Sequence, residues 1–385
     1  MSDSGNGRMH TNKLQQTSVR GFTAMGRLLK RFQQWILSHP RLSNWVFRQS
    51  EELELDDYAQ SNSEVFSKYG EQERMLYDTP RMQFYRDMIQ RHVQEGDVVI
   101  DLGTGTGILA AFASWQGAGK VYAIDHSKII EEARTLAKHN QLKNVDFLAV
   151  NSRDFSVREP VDTIIHEQMG DVLFDEDMVA NVIDMRDRLL KEGGKILPAR
   201  FEFYCEPVQL RDDAAVPFIW NLNVQGYSFS PLKDNPPSES GYYDYSTTDP
   251  TLVYQFLCDP TPLMTIDLHT LRRSDLPMEW SLGLPVVKAG RMDGYAVFFK
   301  ALVDDDLVLS TSPLDTGRAP HWGFRILRTD KIEVQVDDVI EMSISAERGW
   351  PDVSAWRWEQ TKYTAEQYRD CMYDGEDDGD EDDDQ

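Results

Sequence analysis

Two groups of residues in this 385-residue chain have the types and spacing to do chemistry. The first is Val98-Val-Ile-Asp-Leu-Gly-Thr-Gly-Thr-Gly107, where Asp101 is followed by Gly103, Gly105 and Gly107. Three apolar residues, an acid and alternate glycines predict a buried parallel strand ending in a tight turn into a helix, where backbone N–H groups approach a ligand closely. The spacing departs from the G-x-G-x-x-G of dinucleotide sites, whose third glycine packs helix against strand. A second strand, Lys120-Val-Tyr-Ala-Ile-Asp125, ends in a carboxylate about 20 residues on, where doubly wound folds bind ribose hydroxyls. The other group is His166-Glu-Gln-Met-Gly-Asp-Val-Leu-Phe-Asp-Glu-Asp-Met178, directly after the strand Val161 to Ile165. Ligands of open α/β sheets bind outside the carboxyl ends of strands, so Glu167 and Glu176 are expected beside whatever the glycine turn holds. With Asp171, Asp175 and Asp177 among them, the same segment also reads as a solvated acidic loop.

The glycine turn and Asp125 resemble the first motifs of class I S-adenosyl-L-methionine (SAM) methyltransferases. That resemblance implies that the glycines admit the methionine moiety and that Asp101 lies near its ammonium. A glycine-rich turn of some other doubly wound sheet is the alternative.

The elements that must position these residues follow from periodicity. Phe66 to Val93 reads as helical, with Met75, Leu76, Met82, Tyr85 and Ile89 as its apolar positions, Pro80 as a break or first turn, and the whole as a lid over the ligand. After Asp125 come a helix, Ile129 to His139, a strand, Val145 to Val150, and the loop Asn151-Ser-Arg-Asp-Phe155. Alternating strands and helices predict an α/β, Rossmann-like parallel sheet covered on both faces. A helix from Met178 to Leu190 is expected to end at Gly193-Gly194. Beyond Pro198 apolar residues recur at period two, as in Lys331-Ile-Glu-Val-Gln-Val336, so an antiparallel β domain follows. Within it, 217–250 is an aromatic, Pro-rich insertion, and Phe218, Trp220, Tyr227 and Phe229, if exposed there, need cover. The expected organisation is a basic N-terminal segment (1–50), a ligand-binding domain with lid helices (51–198), a β domain (199–371) and an acidic tail (372–385).

Composition narrows the function classes. With 40 basic and 65 acidic residues the net charge is −25, which disfavours nonspecific binding to nucleic acid and suits a cationic substrate or partner. Three widely spaced cysteines argue against a disulfide framework or a zinc site and for a reducing compartment, hence the cytoplasm, or the nucleus of a eukaryote. No metal site is expected. No apolar run is long enough to span a bilayer, and Met1 to Asn12 lacks a signal-peptide core. In 1–50, Phe22, Met25, Leu28, Leu29, Phe32, Trp35 and Ile36 mark a basic amphipathic helix, which suits a membrane surface, a targeting role, or docking on its own domain or on a second subunit. The final Asp/Glu run cannot build a core and is expected to stay solvated or to meet basic partners.

From Tyr69 to Trp358 the chain resembles the protein arginine methyltransferase family. The resemblance is carried by Glu167 and Glu176, each followed two residues later by a methionine (Met169, Met178), by Leu309-Ser-Thr-Ser-Pro313 and His321-Trp322, and by Tyr69-Gly70, Met75-Leu-Tyr-Asp78 and Arg81. It implies a Rossmann-like domain followed by an antiparallel β-barrel, with Pro198 at the joint and a dimerisation arm around Trp220 to Phe229 that makes a homodimer. It further implies that Glu167 and Glu176 grip an arginine guanidinium, with Met169 and Trp322 lining the substrate site. Arg81 would hold the SAM carboxylate, and Asp78 would pair with His321, as a proton acceptor or as a structural ion pair. Asp101, Gly103, Gly105, Gly107, Asp125 and Met178 map onto the cofactor site, and Ser152 and Arg153 onto its adenine side. Gln168 and Asp171 stand where the family often has aromatics.

The chemistry follows from the guanidinium. It stays protonated, with its charge spread over three nitrogens, so none is a ready nucleophile. Two carboxylates around it form charge-assisted hydrogen bonds, concentrate positive charge on the nitrogens they hold and leave the remaining one to attack a sulfonium methyl. The expected activity is SAM-dependent methylation of arginine in proteins. Methylation of a small guanidino or amine compound, and a non-catalytic SAM-binding partner, are the alternatives.

Overall fold

Five parallel strands bring the glycine turn and the acid-rich segment to the same edge of one sheet. The computed structural model describes residues 65–238, 241–347 and 349–373, and from Phe66 onward they form one unit. The strands are β1 (Val98–Leu102), β2 (Lys120–Asp125), β3 (Val145–Ala149), β4 (Val161–His166) and β5 (Leu190–Leu197), in the order β3-β2-β1-β4-β5. The chain winds outward from β1 to β3, then returns to β4 on the other side of β1. The order therefore reverses between β1 and β4, where open α/β sheets leave a crevice for ligands.

Helix α1 (Tyr69–Tyr77) and helix α2 (Thr79–His92) precede the sheet. Asp78 separates them: its side chain accepts from the backbone N–H of Arg81 at 3.0 Å, and Pro80 sits in the first turn of α2, where its missing N–H costs nothing. Helix α3 (Ile108–Gln116) starts at Gly107 and stops at Gly117, both in the left-handed region. Helix α4 (Ile130–His139) carries Glu131 and Glu132 in its first turn and Lys138 and His139 in its last, matching its dipole. Helix α5 (Met178–Leu189) follows Asp177, itself at φ 55°.

One boundary differs from expectation. The chain enters β5 directly at Leu190, and Gly193-Gly194 lie inside the strand. Pairing with β4 shifts register between Val161↔Leu190 and Thr163↔Lys195, and the surplus residues of β5 make a bulge that glycine at φ 71° accommodates.

From β6 (Arg200–Leu210) the chain is antiparallel. The hairpin β7 (Asn223–Val224) and β8 (Tyr227–Ser228) is followed by β9 (Asp244–Thr247), β10 (Val253–Phe256), β11 (Met264–Asp267), β12 (Glu279–Pro285), β13 (Gly290–Leu302), β14 (Val308–Ser310), β15 (Phe324–Val334), β16 (Val339–Ala346) and β17 (Trp356–Tyr363), then helix α6 (Ala365–Tyr373). One sheet runs β10-β6-β13-β15-β9, with β11 on β6 and β14 on β13; the other runs β12-β16-β17. Pro198 marks a change of sheet type rather than a break in the interior. Ile100 and Ile165 of the parallel sheet belong to the same buried apolar cluster as Phe203, Phe299 and Trp350. On the outer face of β6 and β13, Tyr204 stacks on Phe298 at 4.8 Å within a smaller cluster.

The insertion corrects a second expectation. Phe218 and Trp220 are buried in their own subunit: their rings stack at 4.7 Å, Tyr242 packs beside them, and the Arg328 guanidinium lies 4.5 Å from the Phe218 centroid. The hairpin tip is open, with Val224 53% and Tyr227 71% exposed, and Leu232 beyond it is 43% exposed. Phe229 is half-buried. Among the described residues no helix is long and apolar enough to cross a membrane. The basic amphipathic segment at 1–50, the stretch to residue 64 and the acidic run from residue 374 lie outside the described residues.

Candidate functional site

The glycine turn is built by backbone geometry and closed by Asp125. Gly103, Gly105 and Gly107 have φ of 73°, 54° and 87°, a conformation costly for other residues. The Ile124 carbonyl accepts from the N–H groups of Gly103 and Thr104, both at 3.0 Å. Asp125 at the end of β2 accepts from Gly105 N–H at 2.9 Å and from Ser127 N–H at 2.7 Å, stapling the turn to the neighbouring strand. A Cβ on Gly107 would stand 2.7 Å from the Phe147 ring. Asp101 lies fully buried beneath the turn. Its Oδ2 accepts from Thr104 Oγ1 at 2.6 Å and Ala110 N–H at 2.9 Å, while Oδ1 has no partner. Burial pushes this carboxyl up to about 7, against those two hydrogen bonds.

Helix α1 crosses the turn. Its Gln72 lies 3.2 Å from where a Cβ on Gly105 would be, and Glu132 on α4 raises the Tyr69 hydroxyl. Met178, the first residue of α5, is fully buried. On the far side of Asp125, Ser152 is half-buried with its carbonyl accepting from Arg188 at 2.9 Å. Arg153 is exposed and turns its guanidinium to Asp177 at 3.4 Å.

The acid-rich segment is not a solvated loop. Val172, Leu173 and Phe174 at its tip are buried, and the Phe174 ring packs 5.3 Å from Phe203 and 5.5 Å from Trp350. The β half holds its backbone. The Trp322 indole N–H donates to the Met169 carbonyl at 2.5 Å, and Gly323 N–H donates to Asp171 at 2.8 Å. Arg318 in turn donates to the Trp322 carbonyl at 2.7 Å. A Cβ on Gly170 would fall 2.0 Å from Asp175 Oδ1, folded beneath it, so the carboxylate would have to move. Met169 is buried behind the loop.

These anchors leave Glu167 and Glu176 facing one cavity of about 260 Å³, with Glu71, Asp171, His321 and Trp322 also in its wall. Burial, then the neighbouring Glu167, Asp175 and Asp171 carboxylates, hold Glu176 well above the usual carboxylate range. Burial also raises Glu167, and Arg81 opposes it. Such a cluster of half-buried carboxylates is costly unless a cation enters it.

Arg81 supplies part of that cation. Its guanidinium donates to Glu167 Oε2 at 2.6 Å and to the Met75 carbonyl at 2.8 Å, with side-chain exposures of 6% and 13% for Arg81 and Glu167. It also lies 5.6 Å from the Trp322 ring centroid. Arg81 thus joins the lid helices to the glutamate segment and borders the glutamate that faces the cavity.

Asp78 and His321 meet differently from expectation. Asp78 Oδ2 accepts from the backbone N–H of His321 at 2.8 Å, because its other oxygen is committed to capping α2. The imidazole points away, with Nε2 3.9 Å from Glu71 and Nδ1 unpartnered. Burial, reinforced by Arg81 and Arg74, lowers the imidazole to about 4. Asp78 is therefore a structural joint between the lid and the β half, and the side-chain pairing does not form.

Sequence reasoning passed over Gln72, Arg318 and Glu71, and read Asp175 only as one acid of a solvated loop. Gln72 was within reach, since it shares a helical face with Met75, but nothing in the residue types marks Arg318 as the prop of Trp322.

Residues 83–198 match the family model described as ribosomal protein L11 methyltransferase (PrmA). The chain is 31% identical over 300 residues to protein arginine N-methyltransferase 6 of Danio rerio, covering 75% of this chain and 84% of that protein. It is 28% identical over 348 residues to protein arginine N-methyltransferase 2 of Xenopus tropicalis, covering 84% and 78%. Among solved structures, the Arabidopsis thaliana protein arginine methyltransferase 10 in a uniquely open conformation superposes with a TM-score of 0.64 at 25% identity, over 79% of this chain and 99% of that one. The Trypanosoma brucei PRMT1 enzyme-prozyme heterotetrameric complex with AdoHcy superposes at 0.65 and 22% identity, over 77% and 99%.

Proposed function

The chain belongs to the protein arginine N-methyltransferase family, and on that premise we propose that it transfers a methyl group from SAM to a guanidinium nitrogen of arginine in protein substrates. The observation that carries the proposal is the placement of Glu167 and Glu176 in one cavity, both raised by burial, beside the carboxyl ends of β1 and β4. An acidic pocket of this kind is stabilised by entry of a delocalised cation that offers several N–H donors, which is a description of arginine.

The glycine turn fits the cofactor. Three left-handed glycines give the turn no side chains of its own, and Asp101 Oδ1 and Gln168 Oε1 are buried acceptors without partners nearby. Gly103, Gly105, Gly107, Asp101, Asp125 and Met178 would hold it, with Ser152 and Arg153 bordering the adenine and Arg81 facing the carboxylate. Bound there, SAM would supply an electrophilic sulfonium methyl. The chain's own residues do the rest by positioning and electrostatics. Glu167 and Glu176 orient the guanidinium and hold its charge on two nitrogens, leaving the third to attack. Met169 and Trp322 keep the pocket dry and the segment fixed. The proton lost on methylation leaves toward the carboxylates rather than through an Asp78–His321 side-chain pair. As in the family, two copies would associate through the 217–250 arm, whose open tip carries Tyr227, and the cysteine usage favours the cytoplasm.

The test is transfer of radiolabel from SAM to an arginine-rich peptide, with Glu167→Gln alongside. Label on arginine that falls by about 100-fold or more in the variant supports the proposal. SAM binding without transfer to any peptide would sink it.

A further inference from the structure

The two glutamates of the cavity are not equivalent. Glu167 Oε2 accepts from the Arg81 guanidinium at 2.6 Å. Glu176 lies half-buried in the same wall, and among the described residues no group donates a hydrogen bond to it. Its close neighbours carry charge of its own sign, Glu167 from the end of β4 and Asp175 and Asp171 from its own segment. The cations of the surrounding elements are committed elsewhere: Arg81 of α2 to Glu167, Arg74 of α1 to Glu71 at 3.1 Å, Arg325 of β15 to Asp244, and Arg153 to Asp177 at 3.4 Å. Two further groups face it uncharged. The His321 imidazole is lowered by burial to about 4, and the Tyr85 hydroxyl, raised by burial, donates to the His166 carbonyl at 3.3 Å.

Two carboxylates in one cavity with one bonded cation keep a proton between them, because ionising both sets like charges against each other in a poorly solvated space. Arg81 decides which of them keeps it. The glutamate it bonds is the carboxylate, and the other is the neutral acid. Burial and the three neighbouring acids hold Glu176 well above the usual carboxylate range, as this division requires. An entering guanidinium reverses the balance, since its positive charge and several N–H donors favour the ionised form of both glutamates.

We propose that the target arginine is taken up in exchange for a proton: Glu176 is the neutral acid of the empty site, releases its proton to solvent as the guanidinium enters, and becomes the second carboxylate of the grip. The proposal rests on the arginine reading above and deepens it. Charge balances at each stage. Uptake replaces one proton by one guanidinium; the nitrogen that gains a methyl sheds one proton, and Glu176 takes it back. The methylated product then meets a neutral acid where the substrate met a carboxylate, so completing the transfer also loosens the grip.

The test is isothermal titration of the full chain, saturated with S-adenosylhomocysteine so that nothing turns over, with an end-blocked, histidine-free peptide carrying one arginine. Titrations in two buffers of different ionisation enthalpy, at pH values from about 5.5 to 8, count the protons exchanged. The wild-type chain should release up to about one proton per peptide, and its affinity should rise by up to about tenfold per pH unit where release is fullest. Glu176→Gln, which imitates the neutral acid, should release none and bind equally at every pH. Asp171→Asn removes a neighbouring charge while its amide oxygen can still accept from Gly323 N–H, and should move the release to lower pH. Peptide binding without proton release in the wild type, or release that persists in Glu176→Gln, would overturn the proposal and leave the arginine reading standing. If the wild-type chain bound no arginine peptide, that reading would fall first and this proposal with it.

Discussion

Replacing Arg81 by methionine should destabilise the ligand-free protein by about 3–5 kcal/mol, the cost of stranding one partner of a buried ion pair. The figure follows from geometry: the pair is 2.6 Å apart with side chains only 6% and 13% exposed, so water cannot take over the role of the missing guanidinium. Removing the charge it leaves behind should restore much of the loss, and Arg81→Met combined with Glu167→Gln is expected to be more stable than Arg81→Met alone. In urea unfolding at pH 7 the coupling between the two sites should exceed about 2 kcal/mol, well beyond the 0.5 kcal/mol within which independent sites add. The sign of the pH dependence gives a second check. Burial already raises Glu167 in the folded state and Arg81 restrains it, so loss of Arg81 raises it further. A carboxyl raised on folding contributes stability below its unfolded value, near 4.5, and loses it as pH climbs through the folded value. The penalty of Arg81→Met should therefore shrink as pH falls toward 4.5 and grow toward 8. Additive single-site effects, or a penalty independent of pH, would refute the claim that the ion pair holds the lid to the glutamate segment.

Three further outcomes are expected. Glu176→Gln should abolish methyl transfer yet raise stability at pH 8 by roughly 0.5–2 kcal/mol, with the gain vanishing near pH 4.5 in thermal melts, because the wild-type carboxyl is held well above its ordinary value by burial and by like charges. His321→Gln should leave the shape of the pH–rate profile between 5 and 8 unchanged, since the buried imidazole sits near 4; it should also remove part of the acid destabilisation between pH 6.5 and 4, up to roughly 2–3 kcal/mol, and a rate limb near 6.5 lost in the variant would contradict this. If two copies associate through the arm as proposed, Tyr227→Ser, at a side chain 71% exposed, should shift sedimentation from dimer toward monomer; an unaltered dimer would remove the arm from the interface.

Local chemistry made much of this legible in the sequence. Alternate glycines after an apolar strand can scarcely do anything but turn, and Asp78 before Pro80 is an ordinary helix start. Non-local pairing was not legible. Nothing in the order of residues reveals that Asp78 spends one oxygen on its own helix and the other on the backbone of His321, or that Phe218 and Trp220 find cover from Tyr242 and Arg328. Gly193-Gly194 looks like a helix stop until the register of β5 against β4 turns it into a bulge. Likewise, the acids around Glu176 suggest a solvated loop, and only the seat of Phe174 against Phe203 and Trp350 makes them the wall of a pocket.

The hold of Trp322 and Gly323 on the glutamate segment has a consequence in time. Their hydrogen bonds close across 153 and 152 residues of chain. A polypeptide synthesised from its N-terminus as far as Pro198 already contains every strand of the parallel sheet and the whole glycine turn. Phe203, Arg318, Trp322 and Trp350 do not yet exist, so the glutamate segment has neither its socket nor its clamps. Long closures of this kind form late. Synthesis thus supplies the residues of the donor cradle well before the socket and clamps of the acceptor pocket, and the core that both halves share is complete only when Phe203, Phe299 and Trp350 have joined it.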